Sequence, residues 1–94
     1  MLKAVEELQT AIETLHRCKA VHEQSSWVVE EVENKSVWEG VVELFALTGH
    51  PRANHCYAWF QRNKGETQPV CVLETPLVVS PYAAVRAATA GGSQ

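Results

Sequence analysis

The sequence predicts an α+β domain, a two-layer sandwich in which one helix, three or four antiparallel strands and a second helix follow in that order. Three observations carry this. Leu2, Val5, Leu8, Ile12 and Leu15 recur at three- and four-residue steps, the spacing of one helical stripe. Residues 27–75 are dense in valine and aromatic residues, broken by turn-forming clusters. Ser80-Pro81 then sets an N-cap residue before a proline at the first helical position.

The first helix is expected over about Leu2 to Val21, with Glu13 and Arg17 as an i,i+4 ion pair. Trp27 to Glu33 and Val37 to Leu47 read as strands joined at Asn34-Lys35-Ser36. A helix through Val28 to Leu44 is the competing reading, and Gly40 with the many valines weighs against it. In Thr48-Gly49-His50-Pro51 the glycine permits positive φ and the proline holds His50 extended, so a corner follows. Asn54 to Arg62 resumes as a strand with Cys56, Ala58 and Phe60 on one face and His55, Tyr57 and Trp59 on the other. Asn63-Lys64-Gly65-Glu66 is a hairpin turn, and Pro69 to Thr75 returns. The last helix continues to Ala88 and stops at Gly91-Gly92, giving a single domain over 1–90, with both helices on one sheet face, and a flexible tail over 91–94.

Composition narrows the function classes. The 94 residues suit one domain, and no apolar run reaches the roughly 20 residues that cross a bilayer. The acidic start, with Glu6 and Glu7, is unlike a secretory signal, so a cytoplasmic location without membrane partners is expected. Three cysteines, Cys18, Cys56 and Cys71, form no CxxC pair and read as free thiols. The net charge is −3 with dispersed Lys and Arg, which counts against nucleic acid as a partner. Every acid is Glu, so aspartate-based catalytic and metal motifs are excluded.

Several residue sets bear on chemistry. His50, His55, Cys56 and Cys71 are the one soft-metal set; if residues 62 and 67 close the hairpin, Cys56 and Cys71 lie diagonally on one face and His55 points away, so no metal site and no cofactor is expected. Cys18 with His22 at i,i+4, or Cys56 with His50, could pair a thiol with a base, yet nothing there lowers a thiol pKa. Glu39 and Glu43 share a strand face as a glycosidase pair would, and a solvated edge is the ordinary explanation. No catalytic residue is assigned.

The residues W-E-G-V-V-E-L-F (Trp38 to Phe45), L-T-G-H-P-R-A (Leu47 to Ala53), C-Y-A-W (Cys56 to Trp59) and S-P-Y-A-A-V-R-A-A (Ser80 to Ala88) resemble short uncharacterised bacterial proteins, some carried on mobile elements such as integron gene cassettes. The resemblance implies a bacterial cytoplasmic protein and brings no activity. In element order alone the chain also resembles a double-stranded-RNA-binding domain, but its last helix offers a single Arg86 and no lysine to span phosphates.

The aromatic face of His55, Tyr57 and Trp59, joined by Trp38 or Trp27 across neighbouring strands, is the strongest interaction feature in the sequence, with His55 and Arg62 setting orientation. It predicts a homodimeric binding or interaction module without catalysis. The alternative is a small-molecule-binding protein or small enzyme with a pocket between subunits, using Glu39 and His50 as polar groups; a nucleic-acid-binding module stands third. Closure of this face by another part of the chain is the plain alternative to all three.

Overall fold

The computed structural model describes residues 2–33, 35–63 and 65–92. The chain is α+β: α1 (Leu2–His16), β1 (Lys19–Val32), β2 (Lys35–Thr48), β3 (His55–Asn63), β4 (Glu66–Leu73) and α2 (Pro81–Gly92). The strands form one open antiparallel sheet in the order β1-β2-β3-β4. The expected order of elements is therefore found, with four strands.

The helix α1 ends five residues before Val21. Arg17 takes a left-handed conformation, φ 53°, which stops the helical ladder, and β1 begins at Lys19. Glu13 and Arg17 are not among the ion pairs of the described residues. Instead, Ala20 N–H donates to Glu13 Oε2 at 3.0 Å, while Gln9 Nε2 donates to Ala20 O at 2.7 Å. These two α1 side chains occupy both backbone groups of Ala20 on the edge strand, where it would otherwise offer them to another chain. The Cys18–His22 helical pairing dissolves with the change, because His22 lies within β1.

The turn between β1 and β2 lies earlier than expected: Glu33 takes φ 52°, and Lys35 and Ser36 already pair with Val32 and Glu31; Asn34 lies outside the described residues, as does Lys64 of the second turn. Gly49 and Gly65 both take positive φ, 92° and 83°, as their corner and hairpin require. Arg62 pairs with Thr67, and Cys56 with Leu73, which fixes the expected hairpin register. Pro69 sits within β4 rather than at its start, which an outer strand tolerates. Ser80 caps α2: its Oγ accepts from Ala83 N–H at 3.1 Å. The helix is continuous through Gly92, so of the expected tail only residues 93–94 remain, outside the described residues.

The helices do not share one sheet face. On one side Leu8 and Ile12 of α1 pack with Ala20, Phe45, Leu47, Cys56 and Ala58. On the other, Ala84 and Val85 of α2 pack with Val28, Val42, Tyr57, Trp59 and Val78. Consecutive residues such as Cys56 and Tyr57 enter opposite clusters because strand side chains alternate. Each helix thus forms its own helix-on-sheet layer, and the sheet is buried from both sides. The physical reason is already in β3: both its faces are apolar, so each needs a cover.

A bulge in β1 decides which residues face which helix. The register shifts between His22, opposite Phe45, and Gln24, opposite Leu44. Even-numbered residues face α1 before the bulge and α2 after it. Val28 consequently enters the α2 cluster, and Trp27 turns to the α1 side, opposite Val41.

Candidate functional site

The expected aromatic interface is core. Trp59 is 1% exposed and Tyr57 is equally closed off, both covered by α2 and by Val78 of the 74–80 connection. Thr75 and Val78 exchange backbone hydrogen bonds of 3.2 and 3.0 Å, a tight turn that holds Val78 inward. Trp38 is half-buried and packs on Trp59, ring centroids 5.8 Å apart. Burial and the nearby Glu74 carboxylate push the Tyr57 phenol above its ordinary pKa. Neither Tyr57 nor Trp59 presents a surface.

His55 stays at the rim of this face. Its Nε2 lies 3.2 Å from Glu23 Oε1 and its Nδ1 3.1 Å from Glu74 Oε1. The ring joins the β1 bulge to the segment after β4 as a structural clasp. His50 is likewise engaged: its Nδ1 accepts N–H bonds from Arg52 (3.1 Å) and Ala53 (2.9 Å), which closes the Gly-His-Pro corner. Edge-on to it at 5.7 Å lies His16, whose Nε2 is buried without a hydrogen-bond partner among the described residues. Burial, then the neighbouring His50, lowers the His16 pKa below 6.5.

The thiols lie under α1. Cys56 and Cys71 are diagonal neighbours, since Cys56 opposes Leu73 and Cys71 opposes Ala58. A hydrogen bond shared with Cys71, followed by burial, pushes the Cys56 pKa far up; the same bond favours the thiolate of Cys71. His55 projects to the opposite sheet face, so the four soft-metal candidates are divided by the sheet. Among the described residues no three His, Cys or Glu side chains gather as a metal-ligand group.

One polar cluster has the composition of a hydrolase triad. Glu43 Oε1 accepts from Ser25 Oγ and lies 2.7 Å from His22 Nε2, and Ser25 Oγ is 3.3 Å from that same Nε2. A relay needs the nucleophile on one imidazole nitrogen and the acid on the other. Here both act on Nε2, so the cluster cannot pass a proton in sequence. Glu39 lies four residues along β2 from Glu43, about 13 Å away along the backbone at strand rise, and is exposed on the open part of the strand.

Two features escaped the sequence. Glu30 is 5% exposed; its Oε2 is 3.9 Å from Arg86 Nε, while its Oε1 has no hydrogen-bond partner among the described residues. The other is the uncovered half of the α1-side sheet face. Beyond the end of the α1 contact, Trp27 is 64% exposed and its strand partner Val41 is 45% exposed. Glu39 lies on the same face, opposite Val29, and Phe60 and Arg62 of β3 face the same side of the sheet. Beside Phe60 an open groove of about 620 Å³ runs between α1 and β3–β4, lined by Lys3, Glu6, Glu7, Thr67 and Pro69 among others.

The ladder between β2 and β3 covers only Glu43–Ala46 with His55–Ala58, so the two hairpins are unpaired along the open half. Of the expected interface and pocket residues, Arg62 and Glu39 thus reach this surface, while Trp38, His55, Tyr57 and Trp59 lie on the other face and His50 in the corner. The signal for Trp27 was the bulge, and residues 22–26 carry no turn or glycine that marks one. A second exposed apolar set, Leu77, Val79 and Tyr82, sits on the connection into α2, where Arg86 stands 5.9 Å over the Tyr82 ring.

No family model, no curated protein and no solved structure matches this chain. No helix among the described residues is long and apolar enough to cross a membrane.

Proposed function

We propose that this chain is a non-catalytic interaction module whose contact surface is the open half of the α1-side sheet face. The observation that carries the reading is Trp27: a large indole, mostly exposed, held on a strand pair and adjoined by exposed Val41. Soluble domains seldom leave contiguous apolar area uncovered, and aromatic residues are enriched where protein surfaces meet. The surface stands on two paired strands, so little ordering entropy opposes binding.

A small-molecule site is the second reading, favoured by the groove beside α1, whose size of about 620 Å³ falls within the range of ligand pockets. Its apolar floor of Phe60 and Pro69 would hold a ring, with Lys3 as the polar anchor.

The test is Trp27→Ser, followed by thermal melting and sedimentation. The expected result is a melting temperature near that of the parent with association lost. A variant that unfolds, or one that associates as the parent does, contradicts the reading.

A further inference from the structure

We infer that the partner of this surface is a second copy of the chain, docked face to face about a two-fold axis so that Trp27 of each copy enters the α1 groove of the other and Glu39 meets Arg62. This rests on the interaction-module reading and specifies its occupant.

The patch is self-complementary in shape. A two-fold interface uses one patch on both copies, so each feature must find its complement within the same patch. Here a projecting indole on β1 and an open groove against β3–β4 lie on one sheet face. The β1–β2 hairpin of one copy can therefore cover the β3–β4 hairpin of the other, with both contacts made twice.

Charge is complementary too. Glu39 on β2 and Arg62 on β3 are exposed and share this face, two residues beyond Val41 and Phe60 respectively. Neither joins any of the ion pairs found among the described residues. Because the β2–β3 ladder ends at Glu43 and Ala58, no backbone pairing draws them together within one chain. Hairpin-on-hairpin docking sets each against its opposite in the other copy, twice over. The groove wall adds Glu6 and Glu7 beside Lys3, carboxylates that can accept from the indole N–H of an entering Trp27.

The experiment is a charge exchange read by sedimentation. Glu39→Arg and Arg62→Glu, each alone, set like charges against one another at both contacts and are expected to shift the dimer to monomer. In a mixture of the two variants, the Glu39→Arg copy is positive at both positions and the Arg62→Glu copy negative at both. Each contact of a mixed dimer then joins opposite charges, so a mixed dimer is expected, as is a dimer of the double variant. Leu77→Ser, on the other apolar set, is expected to dimerise as the parent does. Single variants as dimeric as the parent overturn this docking while leaving Trp27 as an interaction surface. A mixture that stays monomeric, or dissociation by Leu77→Ser, also overturns it. A parent chain monomeric up to about 1 mM, where weak complexes populate, removes the second copy as the occupant and overturns this docking.

Discussion

The six-membered ring of Trp38 lies over Gly40, where an added Cβ would stand 3.0 Å from ring carbons Cη2 and Cζ2. The indole rests on Trp59 with little room left for a side chain at residue 40. Gly40→Ala should push the ring off this position and loosen the Trp38–Trp59 contact, destabilising the fold by about 1–2 kcal/mol. Thermal melting with tryptophan emission checks this; unchanged stability and emission would show that the ring moves aside freely.

Trp59→Ala should cost about 3–5 kcal/mol, the range for a buried large aromatic, and unfold much of the protein. Trp27→Ser should leave the melting temperature within a few degrees. The contrast between two tryptophans, one core and one surface, is read directly from paired melting curves.

The α1 clamp on the edge strand gives another outcome. Gln9→Ala removes the donor to Ala20 O and should cost about 1 kcal/mol. The freed edge of β1 should also raise aggregation, measured by light scattering on heating.

At the His16–His50 contact the sign follows from burial. The folded pKa of His16 lies below 6.5, so the unfolded chain binds the proton more readily there. Stability should be independent of this group above pH 6.5 and fall as pH drops through 6.5 toward the folded value. His16→Gln should flatten that part of the stability profile, followed by urea unfolding at stepped pH.

Thiol chemistry should divide by position. Cys71, whose thiolate is favoured by the hydrogen bond with Cys56, should react with an alkylating reagent before Cys56, whose thiol is buried and pushed up. Peptide mass mapping after native alkylation separates them.

How far the fold was legible in the sequence follows from which signals were local. Asn63 to Glu66 fixed the hairpin and with it the diagonal of Cys56 and Cys71, and Ser80-Pro81 fixed the start of α2. The end of α1 was misplaced because residues through Val21 still read as continuing the helix, whereas a left-handed Arg17 has no sequence mark. The side taken by α2 was undetermined by pattern alone: both faces of β3 are apolar, so alternation says that each is covered and not by what. The face taken by Trp27 was hidden for a related reason. One extra residue at Glu23 reverses the facing of every side chain after it, and only the register with β2 reveals that.

Hydrogen–deuterium exchange at high and low protein concentration probes the open α1-side face as the contact surface without any substitution. Concentration-dependent protection is expected, confined to residues 25–29, 39–43, 60–62 and 67–69 with the groove side of α1. Protection that is absent at every concentration, or that falls instead on residues 74–82, would contradict the docking of two copies on this face.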